Sequence, residues 1–207
     1  YPYPDYSIDG VWQKEFEETA YFMSALDIES IEIVRSSNAL VKGLSGWTGV
    51  IDIKTKKPEK ETFSFLSKYG ENNNYVANLQ YGNKVKDVSF NTAMAFLGTN
   101  GIPDRRGKER IANFHANMDW AINEKLTFLA GATYISGMRE FESIVEPGSP
   151  KILNQEEKFD PMHSLISYAK LNYKGDDGSQ TDLQTNFTYR NANYFNYNIS
   201  SCWCNHF

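Results

Sequence analysis

The sequence contains no run of about eighteen apolar residues, the length at which a transmembrane helix is recognised, and its mean hydropathy is −0.54. This excludes a membrane-spanning helix, although the alternating strands of an outer-membrane barrel also give a low average hydropathy. Acidic residues outnumber basic ones, 26 to 21, which gives a formal net charge of −5. Without a basic surface to neutralise phosphates, nucleic acid is excluded as a partner.

Motifs for catalysis and metal binding are also missing. The sequence has no Gly-x-Ser-x-Gly, no phosphate loop and no Cys-x-x-Cys. His115, His163 and His206 are far apart in the chain, and Cys202 and Cys204 lack the spacing of a structural zinc site. The sequence therefore predicts that the protein is not an enzyme and has no catalytic residue, metal site or cofactor.

Alternation with a period of two dominates the chain from residue 62 onward. Between residues 112 and 120, one set of positions reads Ala, Phe, Ala, Met, Trp, and the positions between them read Asn, His, Asn, Asp. This pattern is typical of a β-strand with one apolar and one polar face. Its recurrence predicts seven strands, near residues 62–70, 74–82, 87–98, 110–121, 125–137, 164–174 and 180–197.

The lengths of these strands and of their connections favour a membrane barrel. Several strands reach about nine residues or more, which is enough to cross a bilayer at a tilt, whereas strands in sandwiches average about five or six. Short connections alternate with long ones at 99–109 and 138–163, as periplasmic turns and external loops do, although the connection at 71–73 is short. A soluble all-β domain is the alternative, and it predicts that the apolar faces meet in a dry core.

A second distinctive stretch runs from Asp27 to Pro58. It contains IESIEIVR at 28–35, a segment with several glycines, and GVIDI at 49–53 followed by lysines. The stretch resembles the end of the plug domain of TonB-dependent outer-membrane receptors, whose pattern reads IE-x-IEV-x-R-G-P and then L-Y-G-x-x-x-x-G-G-V-I-N-I. Ser36, Ser37, Lys42 and Thr48 depart from that pattern. SIDGVW at 7–12 resembles the V-D-G-V hairpin of the same plug.

The resemblance implies a mainly β fold in two parts. Residues 1–58 would be the C-terminal part of a small α/β plug, with a short helix near 15–26, and residues 59–207 the N-terminal portion of a transmembrane β-barrel. The family's barrel has about twenty-two strands, so about seven antiparallel strands would form an incomplete barrel. Residues 1–5 carry no signal peptide, which a secreted barrel needs, so we expect the chain to begin inside a longer reading frame.

The same resemblance implies a function. We expect a fragment of a receptor for active uptake of a scarce extracellular ligand, an iron–siderophore or haem complex, in the outer membrane of a Gram-negative cell with the plug inside the barrel lumen. Its expected partners are a TonB-type periplasmic energy-transducing protein, whose box would lie upstream of Tyr1, the outer-membrane lipid and an extracellular small molecule. The alternatives are a passive porin-like or structural barrel, which leaves 1–58 unexplained, and a TonB-dependent importer of a glycan or other nutrient.

Three groups of candidate site residues follow from the resemblance. The residues expected to pair the plug with the barrel wall are charged: Glu29, Glu32 and Arg35. The residues expected to shape the plug turn are glycines: Gly43, Gly46 and Gly49. The candidates for a ligand-facing surface lie at the plug apex and in the long external loop: Lys42, Trp47 and Arg139. For the tryptophan, packing inside the plug is the alternative role.

Overall fold

A computed structural model describes residues 5–13, 24–35, 49–103, 106–141 and 155–198. Within these ranges the chain forms eleven β-strands in two sheets and one turn of 3-10 helix at Glu71–Asn73. No helix in these ranges has the length and apolar character that crossing a membrane requires. The predicted helix near 15–26 falls mostly outside the described residues, and its described end, 24–26, is not helical.

A small sheet of four strands is formed by the first part of the chain. In chain order the strands are β1 (Asp5–Ile8), β2 (Val11–Gln13), β3 (Ile28–Val34) and β4 (Val50–Thr55), and in space the order is β2-β1-β4-β3. The Asp9-Gly10 pair connects β1 to β2 with φ values of 52° and 78°. Positive φ at both positions is what a tight two-residue hairpin turn requires, and Asp-Gly is a favoured pair for it.

A large antiparallel sheet of seven strands follows, and its strands lie side by side in chain order. The strands are β5 (Thr62–Gly70), β6 (Asn74–Val85), β7 (Val88–Thr99), β8 (Glu109–Ala121), β9 (Leu126–Glu140), β10 (Gln155–Lys174) and β11 (Gln180–Asn198). Within the described part of the chain, β5 and β11 are the two edges and the sheet does not close on itself.

The predicted strands are confirmed, but β10 is much longer than the alternation indicates. It begins at Gln155 instead of near residue 164, so the long connection before it is correspondingly shorter. A register irregularity between Phe159 and Met162 is the reason. Such an irregularity shifts the side chains that follow it to the other face, so the sequence loses its period of two there although the backbone pairing continues.

The two faces of the large sheet differ in polarity as the alternation predicts. The face that points away from the small sheet exposes large apolar side chains over most of the sheet: Phe63, Phe65, Leu79, Met94, Phe96, Phe114, Trp120, Leu183 and Phe187. These side chains do not meet a second apolar layer within the described residues, so the dry core that a soluble sandwich requires is not formed.

The small sheet packs against the opposite, largely polar face. A compact apolar cluster joins the two sheets, with Ile8, Val11 and Ile53 from the small sheet and Leu129 and Tyr168 from the large one. Each of these side chains is at least nine-tenths buried. The cluster is small, so most of the contact between the sheets depends on polar side chains.

We expect Met94→Arg to reduce the amount of full-length protein that inserts into a membrane. Met94 is 41% exposed near the middle of β7 on the apolar face, where an arginine in hydrocarbon costs about 2–4 kcal/mol. Gln184→Arg places the same charge on the polar face of β11 and should insert normally. The measurement is the amount of folded protein in the washed membrane fraction. Equal amounts of the Met94→Arg variant and the wild type would contradict contact between this face and lipid.

Candidate functional site: the polar interface between the two sheets

Polar side chains on the inward face of the large sheet are almost completely buried. They come from five adjacent strands, β6 to β10: Gln80, Asn91, His115, Asn117, Thr133 and Tyr168. A buried polar group without a partner costs about 1–3 kcal/mol, so such groups are normally hydrogen-bonded. Several of the partners lie in the small sheet and in the segment that follows β4.

Asp9, in the turn between β1 and β2, is the first of two acidic centres at this interface. Its Oδ1 accepts a hydrogen bond from the backbone N–H of Thr55 at 2.9 Å, and its Oδ2 accepts one from the Thr55 hydroxyl at 2.7 Å. The hydroxyl of Tyr168 on β10 donates to the same Oδ2 at 3.0 Å. Asn117 on β8 donates from Nδ2 to Thr55 Oγ1 at 2.6 Å. Asp9 and Thr55 together thereby connect the small sheet to two strands of the large one, β10 and β8.

Asp27, immediately before β3, is the second acidic centre. Its Oδ1 accepts a hydrogen bond from Asn91 on β7, and its Oδ2 lies 3.2 Å from Nε2 of His115 on β8. The other ring nitrogen of His115, Nδ1, lies 2.7 Å from Thr133 Oγ1 on β9. The backbone of Asp27 is held as well, because its carbonyl accepts from the N–H of Lys56 at 2.9 Å.

Four further contacts surround these buried centres. Lys57, between β4 and β5, forms an ion pair with Asp119 on β8. Ser89 on β7 donates from its hydroxyl to the backbone carbonyl of Pro58 at 2.8 Å. Asn186 on β11 donates to the backbone carbonyl of Trp12. Glu59, in the same segment as Lys57, pairs with Lys84 on β6 at 2.6 Å. The small sheet and the segment after it are therefore bonded to five strands of the large sheet, β6, β7, β8, β10 and β11.

The two fully buried carboxyl groups of the small-sheet segment differ in protonation. Burial raises the pKa of Asp27 to about 7, although the hydrogen bond from Asn91 opposes that shift. Burial also acts to raise the pKa of Asp52 on β4, but hydrogen bonds from Lys54 and Ser7 outweigh it and lower the pKa. At neutral pH, Asp52 is therefore ionised, whereas Asp27 is partly protonated.

The charged residues predicted to pair the small sheet with the wall lie elsewhere. Glu29, Glu32 and Arg35 are all exposed and belong to, or directly follow, the edge strand β3. Glu29 lines a cleft of about 360 Å³ together with Lys56 and Gln80, so it is near the large sheet. The buried contacts themselves are made by other residues, Asp9, Asp27 and Thr55. The predicted roles of the three charged residues stay predictions.

The predicted turn glycines are described only in part. Gly49 precedes β4 with a φ of 127°, and a Cβ placed there would lie 2.7 Å from the backbone oxygen of Val34. Only glycine avoids that overlap in this backbone conformation. The other two turn glycines and the two apical candidates for ligand contact lie outside the described residues: Gly43, Gly46, Lys42 and Trp47.

Arg139 is the remaining candidate for ligand contact. It lies near the end of β9 that leads into the long connection, and its Nε is 2.8 Å from Oε1 of Glu109. The guanidinium also stacks over the ring of Phe141, 5.6 Å from the ring centre. Together with Glu71 and Arg106 it lines a cleft of about 370 Å³. The cleft is at the opposite end of the strands from the short turns that connect β6 to β7, β8 to β9 and β10 to β11.

Sequence reasoning missed the two acidic centres. The sequence alone places Asp9 in the SIDGVW hairpin and Asp27 at the start of the stretch that resembles the plug, and it assigns a contact to neither. A usable signal exists on the other side of the interface, because Asn91, His115 and Asn117 are polar residues on the inward face of successive strands. In the described part of the chain, no three His, Cys, Asp or Glu side chains come together in a way that could hold a metal ion.

Comparison with known proteins identifies the fold of the chain through solved structures, but it identifies no family from the sequence. No family model and no curated protein matches the sequence. The pyoverdine outer membrane receptor FpvA from Pseudomonas aeruginosa PAO1, solved with pyoverdine bound, matches with a TM-score of 0.67 at 12% identity, over 93% of this chain and 31% of that one. The alcaligin outer membrane receptor FauA from Bordetella pertussis matches with a TM-score of 0.66 at 11% identity, over 95% and 32%.

A third structure belongs to the same class of protein. The siderophore receptor PiuA from Acinetobacter baumannii matches with a TM-score of 0.68 at 12% identity, over 92% of this chain and 29% of that one. The chain thus has the fold of part of an outer-membrane siderophore receptor and spans under a third of the length of these three proteins. The proteins it matches are receptors and not enzymes.

We expect Tyr168→Phe to weaken the attachment of the small sheet. The change removes the hydroxyl that donates to Asp9 and leaves the ring in place, which should cost about 1–2 kcal/mol. Urea unfolding of the small sheet in the full-length protein, followed by a label on that sheet, measures the loss. Tyr173→Phe, on the exposed outward face of the same strand, is the matched control and should change nothing. An equal effect of both variants would contradict a role for the Asp9 contact.

Proposed function

We propose that the chain is part of a TonB-dependent outer-membrane receptor that imports an iron–siderophore complex. Residues 1–58 form the C-terminal part of its plug, and residues 59–207 form the first strands of its barrel. The small sheet is the plug sheet, and the large sheet is a section of the barrel wall. The plug occupies the lumen, and the apolar face of the wall contacts the lipid of the outer membrane.

One observation carries this proposal, namely the position of the small sheet on the polar face of the large one. The strands of the wall have 9 to 20 residues, and their opposite face exposes aromatic and aliphatic side chains. A transmembrane barrel needs this combination of long strands, a lipid-facing apolar surface and a polar interior. A passive porin has the same wall but no use for a separate sheet hydrogen-bonded inside it.

The chemistry of the interface supports a plug that moves. Asp9, Asp27 and Thr55 hold the wall through hydrogen bonds, and water can replace such bonds when the contact opens. A large apolar interface would lose much more free energy on exposure, because burial is worth about 25 cal/mol per Å². A periplasmic TonB-type protein that pulls on the plug would thus meet a modest resistance distributed over several polar contacts.

The nature of the cargo is supported by the structures that share the fold. Two of them are named as receptors for pyoverdine and alcaligin, and the third as a siderophore receptor. An iron–siderophore complex is therefore the first candidate, and a glycan or another nutrient the second. We assign Arg139 to the external ligand-facing surface, and Glu29, Glu32 and Arg35 to contacts with parts of the wall beyond the described strands.

Uptake measurements with the full-length protein test this function. A panel of radioactive iron–siderophore complexes should enter cells that express the protein, and uptake should disappear in cells that lack TonB while binding to the cell surface persists. The separation of binding from uptake is expected because only plug movement requires energy. Uptake that continues without TonB would favour the porin-like alternative. TonB-dependent uptake of an oligosaccharide in place of iron would identify the other importer.

We expect Arg139→Ala to reduce ligand affinity about tenfold, the loss that removing one charged hydrogen bond of about 1.4 kcal/mol produces. The residue lies at the external end of the wall, so plug attachment should not change. Surface binding of the transported complex measures the affinity. Lys125→Ala is the control, because Lys125 pairs with Asp176 at the short-turn end of the sheet. Unchanged affinity of the Arg139→Ala variant would remove this residue from the ligand site.

A further inference from the structure

A buried acid and a buried histidine face one another across the boundary between plug and wall. Oδ2 of Asp27 and Nε2 of His115 are 3.2 Å apart, and both side chains have no exposed surface. Neither atom has a hydrogen-bonding partner elsewhere in the described part of the chain. A carboxylate oxygen and an unprotonated ring nitrogen both present lone pairs, which repel at this separation. One proton between the two atoms removes the repulsion.

The remaining atoms of the pair limit where that proton can be. Asn91 donates to Oδ1 of Asp27, so only Oδ2 is directed at the histidine. Thr133 Oγ1 lies 2.7 Å from Nδ1 of His115 and can accept from it or donate to it. A neutral ring that carries its hydrogen on Nε2 could donate to an ionised Oδ2, but that arrangement leaves a net negative charge in a fully buried pair. With a proton on Oδ2, Nδ1–H donates to Thr133 and neither group is charged. Burial, which raises the pKa of Asp27 to about 7, favours this neutral arrangement below neutral pH.

The other charged and titratable groups near Asp27 come from each packed element. Asp9, in the β1–β2 turn, disfavours the ionised form of Asp27, and Lys56, after β4, favours it. Tyr168 on β10 is occupied by its hydrogen bond to Asp9. Asp119 on β8 is occupied by its ion pair with Lys57. His115 is thus the group placed to exchange a proton with Asp27.

We propose that Asp27 and His115 form a proton-transfer latch that holds the plug to the barrel wall. In the docked state the proton is bonded to Oδ2 of Asp27. When the plug leaves the wall, that O–H bond breaks and an N–H bond forms at Nε2 of His115. The products are a hydrated carboxylate on the plug and a hydrated imidazolium on the wall. The latch rests on the proposed function only in that it treats the small sheet as a movable plug.

The latch makes plug attachment independent of pH over a defined window. In water, aspartic acid has a pKa of about 3.9 and histidine about 6.5. Between those values the docked pair holds one proton on Asp27, and the separated pair holds one proton on His115. Since both states bind the same number of protons, the linkage relation gives no change of attachment with pH. If only one of the two groups were present, the equilibrium constant for plug attachment would change about tenfold per pH unit.

The two single variants should therefore depend on pH with opposite signs. In His115→Leu, docked Asp27 keeps its raised pKa and binds a proton that the released form loses, so attachment is strong at low pH and weakens as pH rises toward 7. In Asp27→Asn, the amide donates to Nε2 and Nδ1–H donates to Thr133, so the docked ring has no site for a second proton. The released ring gains one below about 6.5, and attachment weakens as pH falls.

The experiment uses the full-length protein in detergent, with Cys202 and Cys204 replaced by serine and a nitroxide label at Ser30→Cys on β3. Urea unfolding of the plug is followed by the mobility of the label at pH 5.0, 5.75 and 6.5. We expect a nearly constant unfolding equilibrium for the wild type. The two single variants should change about tenfold per pH unit in opposite directions, and the double variant should again be constant.

Asp119→Asn is the matched control, because it removes a plug–wall ion pair outside the latch and should keep the flat profile of the wild type. Slopes of the same sign in the two single variants, or no slope in either, would overturn the latch. If His115→Leu does not fold, the comparison of Asp27→Asn with the wild type is sufficient. Attachment that weakens at low pH in Asp27→Asn and stays constant in the wild type supports the latch, and equal pH profiles overturn it. Uptake that persists without TonB would refute the proposed function while leaving these slopes unaffected.

Discussion

The burial of polar side chains between two sheets is the constraint on which the rest of the structure depends. The large sheet has one apolar and one polar face. Exposing the apolar face to water costs free energy, and so does burying the polar face without hydrogen-bonding partners. Part of the polar face is satisfied by Asp9, Asp27 and Thr55, which supply the acceptors for hydrogen bonds from Asn91, Asn117 and Tyr168. With the small sheet on the polar face, the apolar face stays uncovered within the described residues.

Because the contact between the two sheets is mainly polar, it is specific and only moderately strong. Each hydrogen bond contributes only about 0.5–1.5 kcal/mol net, whereas an unpaired buried partner costs about 1–3 kcal/mol. The interface is therefore specific, because a shifted small sheet would leave several buried groups unpaired. It is also moderate in strength, because complete separation of the two sheets exposes those groups to water, which can hydrogen-bond to them. The small apolar cluster around Ile8 and Ile53 adds to attachment without dominating it.

Prediction from sequence succeeded where a local rule determines the outcome and failed where distant residues meet. The alternation in 112–120 depends only on the geometry of a strand, and β8 has the predicted position and faces. The start of β10 was misplaced because the irregularity at Phe159–Met162 interrupts the period without ending the pairing. Asp9 and Asp27 were missed as contacts because their partners are 159 and 64 residues away in the chain.

The sequence by itself determined the strands, their two unlike faces and the Asp9-Gly10 turn, because these follow from the period of two and from backbone sterics at glycine. Only the tertiary structure decided which charged residues of the first segment meet the wall. Asp27 and Glu29 are both acidic residues and lie two positions apart, yet one is fully buried beside His115 and the other is exposed. Nothing local separates them, since the difference arises from how the small sheet is oriented on the large one.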